Sequence, residues 1–243
     1  MSKHSHWAKI KRKKEISDKK RGQMFSKVLR MISVAAKNGR DPETNSALRL
    51  AIEKAKEFNL PKETIERAIK KGSGEETAQA LEEVLYEAYG PGKIAILIES
   101  ITDNKNRAFN EIKKILEAHN GKLVTPGSVK WLFERKGSLI VDCKAQIEDF
   151  KDKEKLEMAA IESGAEDLRW SDESLEIYTK PEDLEIVKSN LEKRGIKIDS
   201  SSLDWVAKEE IKVNEEDKTN AERLFEDLDE SEEVQEIYSN LKF

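Results

Sequence analysis

Gly137-Ser138-Leu139-Ile140-Val141-Asp142-Cys143 opens the stretch whose reading decides the fold. Alternating apolar residues mark a strand over 138 to 143. A helical pattern follows over about 148 to 163 and stops at Gly164, then come strands over 165 to 170 and 174 to 179. A second helix spans 181 to 194 and stops at Gly195, and a strand runs from 196 to about 204. That order is βαββαβ, which closes as a four-stranded antiparallel sheet with both helices on one face, so residues 135 to 204 are expected to form a domain unaided. Cys143, the single cysteine, reads as an inert strand residue.

The segments flanking this cycle are each half of another. Upstream, the turn Gly90-Pro91-Gly92 introduces a buried strand through Glu99. A helix with Phe109, Ile112, Ile115 and Leu116 inward follows and ends at His119-Asn120-Gly121, and Val129 to Phe133 reads as a strand. Downstream, Trp205 to Val213 reads as strand, Asn214 to Leu228 as helix and Val234 to Tyr238 as strand. Paired, the two halves make a second βαββαβ sheet. The expected fold class is α+β, with a helical N-terminal domain and two ferredoxin-like α/β domains, one inserted in the other. The expected domains are 1–78, 79–134 with 205–243, and the insert 135–204.

The N-terminal unit has another character. From Gln23, Phe25, Val28, Leu29, Ile32, Ala35 and Ala36 recur at helical spacing, and Asn38-Gly39 ends the helix. A second helix carries Leu48, Ala51, Ile52, Ala55 and Phe58, and a third opens at Pro61 and stops at Lys71-Gly72-Ser73-Gly74. The first 22 residues lack apolar periodicity and are expected to form a mobile arm.

Charge divides along the same line. The whole chain carries −5, yet residues 1 to 40 hold 13 Lys and Arg against Glu15 and Asp18, a local +11 that leaves −16 for the rest. A dense cationic segment on an acidic body is what a polyanion-binding arm requires, since each neutralised phosphate releases counterions. The candidate contacts are His4, Ser5, Trp7, Lys9, Lys11, Arg12, Lys13, Lys14, Lys19, Lys20, Arg21, Lys27 and Arg30. Trp7 offers a ring for stacking on an unpaired base, against the plainer reading of a tryptophan packed on the helices. Lys105 and Arg107 near a helix N-terminus are further phosphate candidates, and the turn Tyr89, Gly90, Pro91 and Gly92 is a place for close backbone approach, against the plainer reading of a turn and a helix cap. Thr125 to Ser128 reads as an exposed loop.

Other classes fare poorly. Three histidines and one cysteine make no zinc set, and neither a G-x-x-x-x-G-K-S/T loop nor a G-x-S-x-G turn occurs. The expectation is therefore no catalysis, no cofactor, no metal and no small-molecule substrate. No run approaches a membrane span, so no membrane partner and a cytoplasmic location are expected.

These residues also resemble a known family. Met1-Ser2-Lys3-His4-Ser5-His6-Trp7-Ala8-Lys9-Ile10-Lys11 is similar to the opening of YebC/PmpR proteins, bacterial relatives of a mitochondrial translational activator of cytochrome oxidase. Lys19-Lys20-Arg21-Gly22, Tyr86 to Gly92, Asp103 to Arg107, Gly127-Ser128-Val129 and Val234 to Tyr238 extend the resemblance along the chain. Lys3 stands where the family usually has glycine, and His6 where it has lysine. The resemblance implies a three-domain α+β protein acting on nucleic acid, either as a ribosome-associated translation factor or as a transcriptional regulator binding promoter DNA. No helix-turn-helix with a cationic second helix is legible, which favours ribosomal RNA over DNA. A protein-interaction module with an incidental arm is the remaining reading.

Overall fold

The computed structural model describes residues 18–75, 80–146, 150–171 and 173–242, with side chains from residue 22 onward. Of these, residues 18–130 form one compact unit with Val213–Ile237, and Trp131–Lys212 forms another with residues 238–242.

Three helices begin the first unit: α1 (Asp18–Ala35), α2 (Ser46–Glu57) and α3 (Lys62–Gly72). Val28, Ile32, Ala35, Leu48, Ala51, Ala55, Ile65 and Ala68 meet in one apolar core. Asn45 ties two of the helices together. Its side-chain oxygen caps α2 by accepting from the Leu48 N–H, while its amide donates to the carbonyls of Ala35 and Gly39, each at 2.8 Å. At the α1/α3 crossing, a Cβ on Gly72 would lie 2.0 Å from the Ser33 carbonyl oxygen, so only glycine permits this approach. Helix α1 begins at Asp18, so Lys19, Lys20 and Arg21 belong to it and not to the arm.

The first sheet contains β1 (Glu82–Tyr89), β2 (Ala95–Thr102), β3 (Lys122–Val124) and β8 (Val234–Ser239), in the order β3-β1-β2-β8. β1 and β2 form an antiparallel hairpin from Glu82↔Thr102 to Tyr89↔Ala95. Helix α4 (Lys105–Ala118), capped by Asn104, buries Ala108, Ile112 and Leu116. Helix α7 (Glu215–Glu230), capped by Asn214, buries Ala221, Leu224, Phe225 and Leu228. This differs from the expected βαββαβ order in three ways. Residues 82–89 form a strand, although Glu82, Glu83 and Glu87 hide its pattern. Val129 to Phe133 is not a separate strand, because Lys130–Leu132 is a 3-10 turn leading into the next strand. Trp205 to Val213 adds no strand to this sheet, because its first residues finish a strand of the other one.

The second sheet is the βαββαβ cycle, with β4 (Phe133–Asp142), α5 (Lys153–Glu162), β5 (Asp167–Ser171), β6 (Ser174–Thr179), α6 (Leu184–Lys193) and β7 (Ser200–Ala207). Its order, β5-β6-β4-β7, is antiparallel throughout. Leu139 pairs with Ile177 and Val141 with Leu175, and these fully buried side chains share one face. The fold class is α+β. We propose that Trp131–Lys212 folds by itself, since every strand of its sheet has its partners within the segment. The isolated fragment is expected to melt cooperatively in calorimetry, and a broad, non-cooperative transition would refute this.

Candidate nucleic-acid interface

His4, Ser5, Trp7, Lys9, Lys11, Arg12, Lys13 and Lys14 lie outside the described residues, as do the side chains of Lys19, Lys20 and Arg21. The candidate cations with described side chains are Lys27, Arg30, Lys105 and Arg107, and each meets a carboxylate of the chain itself.

Lys27 and Arg30 project from α1 toward the end of α7. The Lys27 ammonium donates to the Asp229 carbonyl at 2.8 Å and sits 3.4 Å from the Asp229 carboxylate. Arg30 donates to the Glu232 carbonyl at 2.6 Å and the Ile101 carbonyl at 3.3 Å, and lies 3.7 Å from the Glu232 carboxylate. The Asn104 cap places Arg107 in the first turn of α4, where its Nε donates to Glu233 at 2.7 Å and an Nη to Asp103 at 2.7 Å. The hydrogen bond to Glu233, followed by that to Asp103, holds the guanidinium pKa above its ordinary value. Lys105 pairs with Glu82 at 2.6 Å, an ion pair that holds the Glu82 carboxyl below the usual range.

At the turn Tyr89, Gly90, Pro91 and Gly92, what lies close to the glycines is side chains of the chain itself. Gly92 adopts φ 64°, and a Cβ there would lie 2.6 Å from Val213 Cγ1, just before α7. A Cβ on Gly90 would sit 2.8 Å from the Ile96 side chain. Tyr86 donates to the Lys105 carbonyl at 3.2 Å and packs its ring at a tilt on Phe109. Burial, then the neighbouring Glu233, pushes its phenol pKa up.

Three features escaped the sequence reading. Lys54 on α2 meets Glu236 at 2.5 Å. His119 meets Asp227 at 2.7 Å. Glu87, buried in β1, accepts backbone N–H groups from Gly127, Val129 and Lys130 at 2.6, 2.7 and 2.8 Å and so pins the 125–128 loop. The signal available for the first two was the run of acids from Glu226 to Glu236, and a lone glutamate between Tyr86 and Ala88 gave none.

Among the described residues no group of three or more His, Cys, Asp or Glu side chains could hold a metal, and no helix is long and apolar enough to cross a membrane. Cys143 is buried, its thiol 2.9 Å from the Lys151 carbonyl.

Comparison with known proteins bears on the whole chain. Residues 5–75 match a family model described as the TACO1/YebC protein N-terminal domain, and residues 81–241 match one described as the TACO1/YebC second and third domain. A probable transcriptional regulatory protein of Thermoanaerobacter pseudethanolicus is 46% identical over the full chain and 97% of its own length. One from Halothermothrix orenii, with the same description, is 46% identical over 99% of the chain and 94% of its own length. A crystal structure of a conserved hypothetical protein from Aquifex aeolicus superimposes with a TM-score of 0.88 at 42% identity, over 98% of this chain and 96% of that one. Two models matched in order and relatives aligned from end to end leave one assignment: the chain belongs to the TACO1/YebC family.

Proposed function

We propose that this protein is a non-enzymatic regulator of gene expression that binds nucleic acid through its first 40 residues, and that its target is ribosomal RNA. The carrying observation is the segregation of charge, +11 in residues 1 to 40 against −16 in the remainder. Such a segment binds phosphates without needing a base-reading surface. The helical unit supports RNA over groove reading, because the first turn of α3 carries Glu63 and its Lys62 is paired with Glu66. An α-helix offered to the major groove needs several side chains free to reach base edges.

A second reading, promoter DNA, is favoured by the relatives, which are described as probable transcriptional regulatory proteins. Sedimentation of cell lysate through sucrose gradients separates the two. Co-migration with ribosomal subunits at low salt, abolished at high salt, is the expected result. Free protein at low salt, together with specific retention of promoter fragments, would move the assignment to DNA.

A further inference from the structure

From Glu226 to Glu236 the chain carries Glu226, Asp227, Asp229, Glu230, Glu232, Glu233 and Glu236, with no lysine or arginine. This run ends α7, turns and enters β8. The last turn of α7 has no basic residue, so acids sit where the helix dipole is already negative, an unfavourable arrangement for an isolated helix. The remedy comes from α1. Gln23 donates to the Glu230 carbonyl at 3.2 Å, Lys27 to the Asp229 carbonyl and Arg30 to the Glu232 carbonyl. Lys54 and Arg107 close on Glu236 and Glu233. Lys27, Arg30 and Arg107, all candidate phosphate ligands, thus end on this one turn, which presents a row of oxygens to them much as a phosphodiester backbone would.

We infer that the α7–β8 turn is an internal polyanion, an electrostatic clasp that occupies the cationic flank of α1 until nucleic acid displaces it. The inference rests on the nucleic-acid reading above. Glu233 Oε2 is buried without a hydrogen-bond donor among the described residues, so the turn holds this acid at some cost. It also couples two events: a phosphate that captures Lys27 and Arg30 removes the groups that cap α7, so binding loosens the turn. The turn competes with nucleic acid for the same cations and so lowers affinity, and neutralising it raises affinity.

The test uses the full chain and two probes, fluorescein-labelled oligouridine and a short DNA duplex, read by anisotropy across a salt series. D229N/E232Q/E236Q is expected to bind about tenfold tighter than wild type, with a salt slope steeper by roughly 0.7 for each cation released to single-stranded RNA. E63Q/E83Q/E216Q removes the same charge elsewhere and is expected to bind about twofold tighter at most. Equal increases for the two triple variants would overturn the clasp. Should the first variant fail to fold, E232Q alone, whose side chain is 68% exposed, is expected to bind about twofold tighter while E63Q alone matches wild type. Independently, amide exchange over residues 228–233 of wild type should accelerate when oligouridine saturates it, and unchanged rates would also overturn the clasp. If no variant binds either probe at low salt, the nucleic-acid reading itself fails and takes the clasp with it. If wild type binds but the two triple variants improve alike, the nucleic-acid reading survives alone.

Discussion

Reversing Lys11, Arg12, Lys13 and Lys14 to glutamate is expected to weaken binding to RNA or duplex DNA by at least about a hundredfold at moderate salt. The four residues are consecutive cations in the most basic part of the chain. Every phosphate left without its cation keeps close to one counterion that would otherwise be released to drive association, and each glutamate adds repulsion. The slope of log affinity against log salt should flatten by roughly three. Stability should hardly change, because residues without apolar periodicity contribute little buried surface to any core. Filter binding across a salt series and a thermal melt check both points. Unchanged affinity would leave the protein-interaction reading, with the sheets carrying the partner.

Glu87→Gln is expected to cost about 3 kcal/mol of unfolding free energy, the largest single-residue effect on stability anticipated for the first unit. The Glu87 carboxylate takes one backbone N–H on Oε1 and two on Oε2, and the residue is 5% exposed. Glutamine keeps one acceptor and turns an amide donor toward the others, leaving a buried N–H opposite a donor. Burial raises the carboxyl pKa, but the three N–H donors outweigh it and hold the group below its ordinary 4.5. A depressed carboxyl contributes stability above its unfolded pKa and loses it as pH falls through the folded value. The gap between wild type and E87Q, measured by urea unfolding, should therefore be full at neutral pH and shrink below about pH 4. A gap under about 0.5 kcal/mol at neutral pH would show that the loop is held by other means.

The inserted sheet was the most legible part of the sequence. Its helices stop just before Gly164 and Gly195, and the local order of strands and helices was enough to specify the pairing. The first sheet was legible only in pieces. Three of the eight residues of β1 are glutamates, and the one that is buried, Glu87, is placed by backbone donors some forty residues ahead of it, which no local pattern encodes. Where the chain leaves the second sheet, Trp205-Val206-Ala207 reads equally well as the end of one strand or the start of another, and pairing with Phe133 to Arg135 decides it. The candidate cations were legible as types but not as states. Composition identifies Lys27, Arg30 and Arg107, whereas their engagement by Asp229, Glu232 and Glu233 spans more than a hundred residues of sequence.

The place of β8 beside β2 governs how the molecule can be made. β2 is complete at Thr102, but the strand that covers its outer edge begins only at Val234, more than 130 residues later. Ala95 to Ile98 are at most 1% exposed in the finished sheet. At roughly 5–20 residues per second of synthesis, that apolar strand waits about 7 to 26 seconds for its neighbour, with an unpaired edge exposed. If the intervening segment folds by itself, as proposed, it can do so before β8 is made, and a nascent chain stalled before Val234 leaves β2 with an open, aggregation-prone edge.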